Sequence, residues 1–388
     1  MTMNTTTDRA AFRDAERWTA SERRHRVQDE VRTTNPASQP HAWNIAVLAG
    51  GVGGARFLQG VRELFGITPF PASPESVNHA TDLTVHALPP RRHQVTAIVN
   101  VGDDMWMHGL RICPDLDTCM YTLADGIDTD RGWGRADESW RTKEELAAYD
   151  PDSAWFGLGD RDMATHLIRT RMLREGFALS EVTEELCRRW QPGVRLIPAT
   201  DDRHETHVLV NRPDADPGET DTIHFQEWWV RHRAGLNTHS FTQIGPHEAK
   251  PAPGVREVIA DADLVLLAPS NPIVSIGAIT SVPEIRTALR NTTAAVVGIS
   301  PVVEGKPLRG MADICLSSIG VKVTAEAIAE HYGARSGTGI LDGWLVDEND
   351  FARVDGITIG SAPLLMTDPS ATADMIRAAC ALVGMETP

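Results

Sequence analysis

Short apolar runs alternate with stretches of helical spacing along most of this chain. NIAVLA (Asn44–Ala49), VTAIVN (Val95–Asn100), DLVLLAP (Asp263–Pro269) and AAVVGIS (Ala294–Ser300) are continuous apolar runs of strand length. Strands of that kind are buried on both faces, as in a parallel sheet. VRLIPA, THVLVN, TIHFQ and GWLVDE predict shorter strands. Helical spacing predicts helices over Ala55–Phe65, Thr118–Ala124, Val282–Arg290, Ala325–Tyr332 and ATADMIRAACALVG, and over GDRDMATHLIRTRMLREG. SEVTEELCRRW reads as a further helix opened by Ser180. The alternation implies an α/β fold: an open, mostly parallel sheet with helices on both faces. A helix-rich stretch at about 117–192 interrupts it and is the expected helical insertion or cap. Residues 1–42 are polar, lack apolar periodicity and read as a mostly disordered extension, with 43–388 as a single domain. A loop bearing Pro, Ser and His fills Thr68–Gln94.

The chain has 388 residues, 41% of them hydrophobic, enough for a large core. Its formal charge of −16 argues against a nucleic-acid partner, which needs a basic face. No apolar stretch reaches the roughly 18–20 residues of a membrane span, so no membrane association is expected. Five dispersed cysteines without a C-x-x-C pair read as reduced thiols of a cytoplasmic protein.

Candidate chemistry gathers at strand ends. The first strand enters a turn with Gly50, Gly51, Gly53 and Gly54, then Arg56. Backbone N–H groups and a helix N-terminus there suit an anion. The turn lacks the Gly-Lys-Ser/Thr of a Walker A loop. Arg56 stands where a G-x-G-x-x-G fingerprint needs its third glycine, and no ribose-binding acid closes the next strand. Tight strand–helix packing without a ligand is the plainer alternative. The second strand ends at Asn100 and opens into Asp103, Asp104, Asp115 and Asp117, four carboxylates in fifteen residues. They suit Mg²⁺, or one of them could deprotonate an attacking hydroxyl; Asp117 could equally cap a helix. In LGDRDMATHLIRTR, Asp160 is a candidate cap, Arg161 a candidate partner of the acids, and Thr165 and Arg169 share a helical face. Ser270 and Asn271 sit at a third strand end. There Asn271 could read a base edge, bind phosphate or simply make a turn. Lys306 and Arg309 form a basic pair after a fourth. HETH at His204–His207 lacks zinc-site spacing, Trp228 and Trp229 read as core before stacking platform, and no G-x-S-x-G elbow exists.

Taken together, GGVGGARFLQGV, VNVGDDMWMHGLRICPDLDTCMYTLADGID, GLGDRDMATHLIR, HFQEWWVR and LLAPSNPIVSIG resemble the 2-phospho-L-lactate transferase family of deazaflavin coenzyme (F-420) biosynthesis, closest to its actinobacterial branch. The resemblance runs from about Asn44 to near the C-terminus. It implies a Rossmann-like fold with a helical subdomain, a homodimer and a requirement for Mg²⁺. It implies transfer of a three-carbon acid phosphate from a guanosine-diphosphate-activated donor to the ribityl hydroxyl of the deazaflavin Fo, with GMP released. The acid is phosphoenolpyruvate in the actinobacterial branch and phospholactate in archaeal members. Carried onto this chain, Asp103 and Asp104 would hold the metal, with Asp103, Asp117 and Arg161 catalytic. Gly51, Gly53, Gly54, Arg56, Asn100, Asp115, Asp160, Ser270, Asn271 and Lys306 would contact substrate. Arg56 replaces the lysine common in archaeal members, and the residue before the paired acids also differs from theirs, so donor preference could differ. The rival reading is a non-catalytic, nucleotide-sugar-binding regulator of the gluconeogenesis-factor type.

Overall fold

The computed structural model describes residues 42–67, 93–212, 218–245, 249–308 and 310–388. The expected extension over residues 1–42 (save residue 42), most of the Thr68–Gln94 loop and Arg309 lie outside them.

Seven parallel strands form the main sheet: β1 (Asn44–Ala49), β2 (Gln94–Val99), β3 (Arg195–Pro198), β4 (Leu264–Leu267), β5 (Ala295–Ile299), β6 (Gly343–Val346) and β7 (Thr358–Ser361). Their spatial order is 3-2-1-4-5-6-7, so the strand order reverses between β1 and β4. That is the switch point at which open α/β sheets bind ligands, beyond the carboxyl ends of the strands.

The continuous apolar runs are explained by two cores. Side chains alternate across a strand, so Ile45, Val47 and Ala49 enter one core and Ala46 and Leu48 the other. The first core is closed by α1 (Gly51–Leu64), α2 (Pro114–Leu123), α5 (Leu179–Trp190) and α6 (Pro369–Leu382). The second packs under Val255–Ala260, Pro283–Asn291 and Ala325–Tyr332. Between β2 and β3 lie α2, a short hairpin, α3 (Arg141–Tyr149), α4 (Asp162–Arg174) and α5.

Four sequence expectations change. Helix α1 starts at Gly51, not Ala55, so the glycines are its first turn. Helix α2 starts at Pro114, four residues before Thr118, which puts Asp115 and Asp117 in its first turn. Ser180 does not cap α5; it lies inside it, and its N–H and Oγ both donate to Asp201, at 2.7 and 2.8 Å. THVLVN and TIHFQ join no main-sheet edge. They pair with Thr238–Ile244 in a separate three-stranded antiparallel sheet over Val208, Val210, Phe225 and Trp228.

Candidate active site at the sheet switch point

The carboxyl ends of β1, β2 and β4 meet at the switch point, and each contributes differently. Gly51 has φ +63°, a backbone that side chains rarely adopt. At Gly54 a Cβ would lie 2.9 Å from Ser270 Oγ, so glycine lets β4's end approach the turn. The Ser270 hydroxyl donates to the Gly50 carbonyl at 2.7 Å and accepts from the Gly50 N–H at 3.2 Å. Ser270 therefore latches the turn, with its one hydroxyl hydrogen spent there. Gly51, Gly53 and Arg56 face the cavity in front of it.

Asn100, at the end of β2, is fully buried and outside the cavity wall. Its amide nitrogen donates to Asp103 Oδ1 and to Asp115 Oδ2, both at 2.9 Å, while its Oδ1 accepts from Gly102 N–H. Expected as a substrate contact, Asn100 is a bridge holding two carboxylates together. Gln226 donates to the other oxygen of Asp103 at 2.8 Å, and the Gly51 N–H donates to Asp115. Among the described residues, no ion pair with a cationic side chain involves either acid. Burial, and then the neighbouring Asp115, push Asp103 well above the usual carboxylate range; burial raises Asp115 to about 6 despite its hydrogen bonds.

Asp104 faces elsewhere. Its Oδ2 lies 3.4 Å from Arg111, which reaches Glu205 at 2.7 Å, and its buried Oδ1 has no partner. Burial raises it to about 7, against the pull of Arg111. The cavity wall includes Asp103 and Asp115 but not Asp104. The carboxylate that neighbours Asp103 at the cavity is thus Asp115, and the expected Asp103–Asp104 pair does not converge.

A second acidic group lines the same cavity. Asp117, from α2, has both oxygens engaged by Arg169 of α4, one at 3.0 Å and the other in a still closer contact. Arg169 is 1% exposed and also donates to His166 Nδ1 at 3.2 Å. A guanidinium can only donate, so Nδ1 accepts and the imidazole hydrogen sits on Nε2. That Nε2 lies 3.3 Å from Asp162 Oδ2 without completing a hydrogen bond. Asp162 Oδ1 accepts from the Tyr121 hydroxyl at 2.5 Å. Burial raises Asp162, but His166, Tyr121 and Arg169 outweigh it and hold the carboxyl below its usual range.

Sequence reading proposed Arg161 for the acids; the structure gives that role to Arg169. The Arg161 side chain is 53% exposed and meets Ala136 O and Asp137. Asp160 does not cap its own helix. It accepts from Ser139 Oγ and from the Arg141 and Thr142 N–H groups, so it caps α3. Glu138 caps α4 by accepting from Arg161 and Asp162 N–H, at 2.6 and 3.1 Å. Asn271 adopts the turn alternative: its Oδ1 accepts from Ile273 and Val274 N–H. Lys306 is exposed in a short hairpin outside the cavity wall.

The motif match includes Asp162 but gives it no role, and it does not single out His166 or Tyr121. A signal for the first two was present. Asp162, Thr165, His166 and Arg169 stand at i, i+3, i+4 and i+7, the face a surface helix normally buries with apolar side chains. Leu167 and Ile168 point outward, 54% and 37% exposed. The helix is amphipathic in reverse.

The cavity measures about 890 Å³. Its lining carries Trp133, Trp140, Phe156 and Trp229, with Arg131 stacked 5.4 and 5.0 Å from the rings of Trp133 and Trp140. Trp228, by contrast, is core.

Three places gather metal-type ligands. Asp103 and Asp115 offer hard carboxylate oxygens with no cation between them, which suits Mg²⁺. Asp117, Asp162 and His166 converge, but Arg169 already supplies their positive charge. Glu205, His207 and His224 converge too. There Glu205 is paired with Arg111 and Arg203, and both nitrogens of His224 are occupied, by Gln226 N–H and the Asp104 carbonyl.

Comparison with known proteins places this geometry. Residues 45–356 match the family model described as 2-phospho-L-lactate transferase CofD. A phosphoenolpyruvate transferase of Nocardia farcinica is 63% identical over 351 residues, covering 90% of this chain and 97% of its own. A phosphoenolpyruvate transferase of Mycobacterium tuberculosis is 57% identical over 341 residues, covering 88% and 99%. Among solved structures, a UPF0052-family protein of Bacillus halodurans superposes with a TM-score of 0.52 at 18% identity, covering 87% of this chain and 99% of its own; that likeness concerns the fold alone. With a family model spanning most of its length and relatives near 60% identity, this chain belongs to the CofD family of 2-phospho-L-lactate transferases.

Proposed function

We propose that this protein transfers a phosphoenolpyruvyl group from a guanosine-diphosphate-activated donor to the terminal ribityl hydroxyl of Fo, releasing GMP and forming dehydro-F-420-0. Family membership supplies the reaction class. The enolpyruvyl donor is favoured by relatives at 57–63% identity whose names specify phosphoenolpyruvate. The observation that carries the reading is the meeting of an anion-binding glycine turn, an uncompensated carboxylate pair and an aromatic wall in one cavity.

Each wall has a task. N–H groups at the start of α1 hold the diphosphate. Asp103 and Asp115 would hold Mg²⁺, which when bound neutralises charge on the phosphates. Asn100 and Gln226 fix those two carboxylates in place. Trp133, Trp140 and Trp229 cover the deazaflavin ring. Phosphoryl transfer draws its rate mostly from such positioning and electrostatics. A homodimer in the cytoplasm completes the reading.

The test offers purified protein Fo, Mg²⁺ and each guanosine-activated three-carbon acid, and identifies products by mass spectrometry. GMP and dehydro-F-420-0 with the enolpyruvyl donor are expected. GMP release only with the phospholactyl donor would overturn the donor assignment. Fo binding without turnover of any donor would favour a regulator.

A further inference from the structure

The pair Asp162–His166 takes no part in the reading so far, and its chemistry is specific. His166 is 1% exposed, lines the cavity, and has a buried Nε2 with no hydrogen-bond partner. Arg169 fixes that nitrogen as a donor. Asp162 Oδ2, 3.3 Å away, is an acceptor; Tyr121 engages the other oxygen. Nε2 and Oδ2, 3.3 Å apart at the cavity wall and not closed on each other by a hydrogen bond of normal geometry, match the two needs of one hydroxyl group. Its oxygen can accept from Nε2–H while its hydrogen is donated to Oδ2.

A bound cation fits less well, because Arg169 already lies against Asp117 and His166. Asp117, the other carboxylate at this wall, has both oxygens held by Arg169, so neither is as open to a hydroxyl as Asp162 Oδ2.

We propose that Asp162 is the catalytic base that receives the proton of the acceptor hydroxyl, and that His166 is the positioning residue that seats that hydroxyl. The inference rests on the transferase reading above. As the hydroxyl oxygen bonds to the phosphorus bearing the three-carbon acid, the bond from that phosphorus to the bridging oxygen breaks. GMP leaves with the electron pair, and the hydroxyl proton passes to Asp162 Oδ2. Asp117 and Arg169 then form the support that fixes the imidazole.

The test compares Asp162→Asn, His166→Gln and His166→Ala with the wild type. It measures GMP release, Fo affinity by fluorescence, and Tm. Asp162→Asn is expected to lose at least about 100-fold in kcat, with Fo affinity changed less than about threefold. His166→Gln, which keeps an N–H donor at similar reach, is expected to retain about tenfold more kcat than His166→Ala at equal Tm. An Asp162→Asn variant within about fivefold of wild-type kcat overturns the proposal, as does loss confined to Fo affinity. Equal loss in the two His166 variants overturns the seating role. If the wild type itself releases no GMP with any donor, the transferase reading has failed, which is distinguishable from an active wild type with an active Asp162→Asn.

Discussion

Two acidic clusters line one cavity, alike in composition and opposite in electrostatics. Asp103, beyond the end of β2, and Asp115, at the start of α2, are held by amide donors from Asn100, Gln226 and Gly51. Amide donors place a carboxylate without neutralising it, so burial wins and both groups resist ionisation. On the helix side, Arg169 lies against Asp117, and His166 and Tyr121 attend Asp162. The first cluster is built to receive positive charge; the second carries its own. An acid count cannot separate them, because the difference lies in the partners.

The largest expected effect would break this contrast from the helix side. Arg169→Met preserves bulk but leaves Asp117 buried without its cation. Removing one partner of a buried pair costs about 3–5 kcal/mol, read as a lower urea midpoint. A midpoint unchanged from wild type would place the two clusters in one class.

Next, Asp103→Asn is expected to lower kcat/KM roughly 10²–10³-fold, the scale of one lost electrostatic contact in a transition state. Its Tm should hold or rise, since two buried like charges no longer oppose each other. Deleting a charge is therefore expected to be destabilising in one cluster and harmless in the other. A marked fall in Tm for Asp103→Asn would contradict the assignment.

The smallest effect sharpens the comparison through pH. With Asp115 raised to about 6 and Asp104 to about 7, the folded chain keeps protons that the unfolded chain sheds above pH 4. The contribution of these two groups to stability then declines as pH climbs from about 4 through 7. A cation between Asp103 and Asp115 relieves that penalty. Mg²⁺ should accordingly raise Tm by a few degrees more at pH 8 than at pH 5, measured against EDTA. Equal shifts at both pH values would remove Asp115 from the metal site.

Much of the frame was legible in the sequence. The runs at Asn44–Ala49 and Leu264–Leu267 are apolar throughout because alternate residues feed two cores, which only a doubly covered strand does. The glycine turn and the strand-end acids were found for the same reason: a strand's carboxyl end fixes where its next residues sit. The start of α1 was misjudged because four glycines are poor helix formers, and their reward comes from distant Ser270. Pro114 at the first position of α2 was a signal passed over. Arg161 and Arg169 both follow the GLGD turn, and only burial tells them apart. Asp160 and Glu138 exchange the expected capping roles through contacts more than fifteen residues apart, beyond the reach of local pattern.

That exchange has a mechanical consequence. Glu138 lies between Trp133 and Trp140 in the chain, it terminates the helix that carries Asp162, and a Cβ on Gly159 would sit 2.1 Å from its Cδ. Arg135, from the same segment, donates to the Arg161 carbonyl. The segment carrying both tryptophans is thus tied to the first turn of the helix that bears Asp162, so cutting back the Glu138 carboxylate would loosen the aromatic lining and that turn together.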